Sequence, residues 1–144
     1  METATMGRVT TEATIESLKD LLAVELGVMT ADQVRQITVP DALVDTGATW
    51  LSLPTRMIRQ LGLKKTGSKR VISSTGLAEA DMYGAVKLTI QGRSCTMDVI
   101  EVPDTVPVLI GQLPLESLDL VIDPRNRTLT GNPAHGGEHV IELY

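Results

Sequence analysis

Residues 43–54 read LVDTGATWLSLP: Leu43-Val44 and Trp50-Leu51 frame the polar triplet Asp45-Thr46-Gly47 where a strand would be expected to continue. A carboxylate, a β-branched hydroxyl residue and a glycine in that order describe a strand that stops at a tight turn. As three bare letters the triplet is an ordinary connection between strands. Its surroundings change that reading, because Ala48-Thr49 follow it directly and a second apolar run closed by glycine, Leu109-Ile110-Gly111, comes later in the chain.

QITVPDALV before the triplet reads as extended chain, with Pro40 better placed at a bend or sheet edge than in a central strand. Upstream, GRVTTEATI at 7–15 alternates enough for a first strand. The period then changes: Leu18, Leu21, Leu22, Val24 and Leu26 fit a short helix capped by Ser17 and ended by Gly27, with a further helical turn starting at Thr30. After the triplet, Pro54 opens one helical turn that Gly62 closes. RVISSTGLAEADMYGAVKLTI predicts a long β-hairpin around Ser73-Ser74-Thr75-Gly76, and VKLTIQGRSCTMDVIEV two strands turning at Gln91-Gly92. VPVLIG is a short apolar run, PLESLD a short helix, and LDLVIDPRNRTLTG a final hairpin with Pro124 in its turn. The expected architecture is mostly β, a small closed barrel or folded-over sheet with short helices.

The chain has 144 residues, enough for one domain that folds without metal or disulfide support. Aromatic residues make up 2% and phenylalanine is absent, so the core must be aliphatic. A net charge of −5 argues against a nucleic-acid backbone as ligand, since phosphate binding needs a clustered basic surface. Lys64-Lys65 with Lys69-Arg70 is the one local cluster, expected to be a solvated loop. Cys95 stands alone without the spacing of a zinc or redox site, which points to a reducing, cytoplasmic compartment. METATMGRVTTEA lacks the pattern of a signal peptide, and LLAVELGVM is too short to span a bilayer, so no membrane association is expected.

Other patterns are weaker. Gly62 to Lys69 approaches a phosphate-binding loop but has Ser-Lys where Lys-Ser is needed. His135 and His139 are spaced as metal ligands would be on a helix, yet Gly136-Gly137 disfavour that helix and no third ligand is near, so both are expected in a solvated tail and no metal is assigned. Asn126-Arg127-Thr128 matches a glycosylation acceptor and is read as a turn. No GxSxG elbow accompanies the histidines.

ALVDTGAT followed by VLIG, with a glycine-containing hairpin between them, resembles the retropepsin-like aspartic proteases, the retroviral enzymes and their bacterial single-domain relatives. The resemblance spans residues 36–131 and implies a single-lobed, closed β-barrel with the acid-protease fold. By that resemblance Asp45 is catalytic, Thr46 locks two active-site loops together, and Gly47 lets backbone approach substrate. Ile110 and Gly111 support the loop from beneath. Ala48, Thr49, Trp50, Pro107 and Leu109 line the substrate site, and Ser74, Thr75 and Gly76 form the tip of a flap. Thr49 and Trp50 replace acidic residues of the retroviral enzymes, and Trp50 could fill a subsite or belong to the core.

Peptide hydrolysis by this route needs two carboxylates sharing a proton. The chain contains one Asp-Thr-Gly and no Asp-Ser-Gly, so the second carboxylate must come from another copy across a two-fold axis. The expectation is a homodimeric aspartic endopeptidase acting on peptide or protein substrate, with no cofactor. Residues 1–35 form an extension packed on the same domain and 132–144 a C-terminal tail. The alternative is the same dimeric fold holding a peptide without cutting it, or cutting only itself.

Overall fold

A computed structural model describes residues 8–143. Among the described residues nine strands and three short α-helices follow one another as β1 (Thr10–Ser17), α1 (Leu18–Glu25), β2 (Gln36–Val44), β3 (Leu51–Pro54), α2 (Thr55–Gln60), β4 (Lys64–Ser73), β5 (Gly76–Ile90), β6 (Arg93–Val102), β7 (Leu109–Ile110), α3 (Gln112–Leu118), β8 (Leu120–Asp123) and β9 (Thr128–Gly131). Single 3₁₀ turns lie at Ala31–Gln33 and Pro133–His135.

The main sheet runs β1-β2-β7-β3-β6-β5-β4, and β1 also pairs with β5. That second pairing, Thr14 opposite Thr89 to Ser17 opposite Val86, closes six strands into a barrel and leaves β4 outside it. Closure follows from the alternation along the strands. Ala13 and Ile15 on β1, and Val86, Leu88 and Ile90 on β5, all turn inward and are buried. Leu51, Leu53, Leu61, Val99, Ile110 and Leu118 complete an aliphatic core. Each fully buried side chain of this kind contributes about 1.5–3 kcal/mol.

Two bulges shape the barrel. Between Thr11 and Ala13 the β1–β2 register slips, and Pro40 lies in the slipped stretch of β2. Strand β7 reaches only Leu43 and Val44, so at Pro40 no second neighbour needs the missing N–H. Between Tyr83 and Val86 the β5–β6 register also slips, where β5 passes from barrel to free hairpin.

The helices end as expected. Ser17 Oγ accepts the Asp20 amide at 3.2 Å, and Gly27 and Gly62 take the left-handed φ values of 74° and 65° that stop α1 and α2. Asp20 is buried, and Arg35 grips it through Nε and Nη2 at 2.8 and 2.9 Å while the Arg35 amide adds a third bond at 3.0 Å. These bonds, against the opposing effect of burial, hold the Asp20 carboxyl at a pKa of about 2. The pair ties α1 to the start of β2.

Two expectations change. Lys64, Lys65, Lys69 and Arg70 are solvent-exposed but lie on β4, an edge strand that pairs along one side with β5, its register slipping between Lys65 and Gly67. His135 is in no solvated tail: its side chain is 15% exposed and held at both ring nitrogens, Nδ1 to Asp119 at 2.7 Å and Nε2 to Glu142 at 2.9 Å. Asp119, left-handed at φ 56°, ends α3 and accepts the Val140 amide at 3.1 Å beside its bond to His135 Nδ1. Strand β1 begins at Thr10, and Gly7 of its expected span lies outside the described residues. Among the described residues no helix is long and apolar enough to cross a membrane.

Candidate active site

Strand β2 ends at Val44, and the next residue is the hinge of the site. The Asp45 amide still donates to Ile110 O at 2.9 Å, but its carbonyl already accepts from the Ala48 amide at 3.0 Å, so the chain turns within three residues. Asp45 Oδ1 accepts the Gly47 amide at 3.0 Å. A carboxylate that bonds backbone two residues ahead fixes its own rotamer, which is why an aspartate starts this turn. Asp45 is half-buried, while Thr46 and Gly47 are exposed on the outer side of the loop.

Gly111 connects the loop to the helix behind it. Its amide donates to Trp50 O at 3.0 Å, and the next two amides, Gln112 and Leu113, donate to Ala48 O at 2.8 Å and Thr49 O at 2.9 Å. The first N–H groups of a helix have no partner within it. Here the carbonyls of residues 48–50 supply that partner, so the loop caps α3 and α3 holds the loop. A Cβ at Gly111 would overlap the Trp50 carbonyl oxygen and lie 2.8 Å from that of Ala48, so only glycine allows the approach. Ile110 beneath is fully buried.

The β4–β5 hairpin rises from the barrel. Ser74 and Thr75 form its tip, where Ser73 Oγ lies 3.0 Å from Thr75 Oγ1 and donates to Gly76 O at 3.1 Å; Gly76 sits at φ 114°. Ile72 and Leu77 face each other across the strands near the tip and are 88% and 63% exposed. A two-stranded hairpin with uncovered apolar side chains gains little stability alone.

Asp45, Thr46, Gly47, Ala48, Thr49, Trp50, Ile110 and Gly111 therefore meet in one cluster. Leu109 lies in β7, paired to Leu43 and Ser52, and Pro107 is exposed in the connection before it. Ser74, Thr75 and Gly76 are at the hairpin tip, on a separate element. Sequence reasoning overlooked a cleft of about 290 Å³ lined by Trp50, Met82 and Asp98 together with β4 residues including Thr66 and Lys69. Lys69 Nζ lies 5.7 Å from the centre of the Trp50 ring. Residues 64–70, KKTGSKR, carry no alternation that could have placed Lys69 beside Trp50; the pairing is determined by the fold.

Residues 24–113 match the family model described as aspartyl protease. The solution structure of simian foamy virus (mac) protease is similar to this chain at 17% identity, over 74% of this chain and 90% of that one, with a TM-score of 0.45. No curated protein matches the sequence.

Proposed function

Because the chain belongs to the aspartyl protease family, in its retropepsin-like group, we propose that it is an endopeptidase whose site forms only when two copies bring their Asp45 carboxylates together. The observation that carries this reading is the Asp45 turn: one half-buried carboxylate, oriented by the Gly47 amide beside the exposed Thr46, with no second Asp-Thr-Gly in the sequence.

In the dimer one Asp45 is ionised and the other protonated. The ionised carboxylate takes a proton from a water molecule as the water oxygen bonds to the peptide carbonyl carbon, and the protonated one gives its proton to the carbonyl oxygen. The resulting tetrahedral diol collapses when the C–N bond breaks. A diol hydroxyl returns its proton to one carboxylate, and the nitrogen takes a proton from the other, so the pair ends as it began. Two adjoining carboxylates resist joint ionisation, so the singly protonated pair is the working form and the rate should peak below neutral pH.

Substrate would lie across the loop residues Ala48, Thr49 and Trp50, near Leu109 and Pro107, with the Ser74–Gly76 tip closing over it and excluding water. A reducing, cytoplasmic setting suits the lone Cys95. The test is digestion of a peptide library by wild type and Asp45→Asn. The variant keeps the shape but removes the shared proton, so cleavage should fall to background while the dimer persists. Equal cleavage by both proteins would exclude Asp45 as the catalytic group.

A further inference from the structure

The cleft between Trp50 and the base of the hairpin contains two charges of opposite sign. Lys69 at its lip is exposed and rests over the Trp50 ring. Asp98, also in its lining, is half-buried. Gly84 opposite leaves the room it occupies, since a Cβ there would overlap Asp98 Oδ1. Among the described residues its one donor is the Thr66 hydroxyl, at a long 3.4 Å. The neighbouring Asp81 is already matched by Lys65 at 3.2 Å, whereas among the described residues no cation stands within ion-pair distance of Asp98.

We infer that this cleft is a subsite for a lysine or arginine side chain of a peptide, its aliphatic stem lying on Trp50 and Met82 and its cationic head meeting Asp98. The inference rests on the reading of the Asp45 face as a peptide cleft. The choice of a cation over an anion follows from burial. An acidic side chain would meet Lys69, a solvated ammonium whose surface pairs contribute little. A cation would meet a half-buried carboxylate that has no counter-charge among the described residues, and a ring face that attracts positive charge. Lys69 itself occupies that ring face in the free chain, which makes it a resident competitor.

The subsite is close enough to take part in specificity. Trp50 is five residues from Asp45, so the two lie within about 17 Å of each other. An extended peptide advances about 3.3 Å per residue, which places the basic side chain within roughly five residues of the bond cut.

Trp50 is the chain's one tryptophan, so its fluorescence reports this cleft directly. The experiment titrates the Asp45→Asn protein with short tryptophan-free peptides in which lysine is scanned through the positions, beside the same peptides with glutamate or norleucine there. The best lysyl peptide should bind roughly tenfold more tightly than its glutamyl counterpart. Adding Asp98→Asn should erase that preference. Adding Lys69→Ala should tighten the lysyl peptide and carries the test if Asp98→Asn fails to fold. Equal or tighter binding of the glutamyl peptide, a preference that survives Asp98→Asn, or no response of Trp50 to any peptide would overturn the subsite. Cleavage by wild type distinguishes the two readings: cutting without regard to basic residues leaves the protease and removes the subsite, and lysyl binding without cutting does the reverse.

Discussion

At the scale of single residues, Gly111 is the position where sequence and site are most tightly coupled. The space a methyl group would need is filled by backbone carbonyls of the loop that carries Asp45, which cannot swing aside as a long side chain can. Gly111→Ala should therefore lower stability by about 1–3 kcal/mol, the usual cost of overpacking, and displace the loop so that cleavage falls more than stability does. Urea denaturation beside a peptide assay measures both. Gly67→Ala is the control, since nothing lies within 4 Å of a Cβ there; its stability should stay within about 0.5 kcal/mol of wild type. Equal losses at the two positions would mean that the carbonyl contact at Gly111 is not what matters.

Among the elements, the segment after β9 is bound by titratable groups. Glu142 and then Asp119 raise the pKa of His135. Burial pushes Asp119 up, but bonds from His135, the Val140 amide and Asn132 outweigh it and set that carboxyl at about 2. The histidine's contribution is complete below its ordinary value of about 6.5 and is lost as pH rises through its raised folded value. The aspartate's is complete above its ordinary 3.8 and is lost as pH falls through about 2. The latch should thus be tightest between about pH 4 and 6.5. Amide exchange at Val140, corrected for intrinsic rates, should slow within this window and quicken above it; equal protection at pH 5 and pH 9 would contradict the latch. Glu142 is 74% exposed and screened, so Asp119→Asn should loosen the segment more than Glu142→Gln.

For the whole molecule, a closed barrel presents one Asp45 at the end of β2, while the proposed chemistry needs two. Specific activity should fall on dilution below the dimer dissociation constant, by mass action. An excess of Asp45→Asn chains should poison wild type by forming mixed dimers with a single carboxylate. Rate per chain across a dilution series, with mass followed by sedimentation, measures both effects. Constant activity in fully monomeric protein would exclude a two-chain site.

Whatever depends on neighbours along the chain was legible in the residues alone. The turn at Asp45, the caps at Ser17, Gly27 and Gly62, and the hairpins at Ser74-Thr75 and Gln91-Gly92 all follow from local backbone preference and from periods of two or 3.6 residues. The order of Asp-Thr-Gly and Leu-Ile-Gly also pointed to the family. Which distant groups meet depends on the folded barrel. Barrel closure through β1 and β5, Asp119 beneath His135, and Lys69 over Trp50 join residues whose separation along the chain carries no periodic signal. The exposed lysines of β4 show the limit plainly, because a charged run looks the same in a solvated loop as on a strand paired along one edge. The difference lies in where the backbone bonds go, and that depends on the strand beside it.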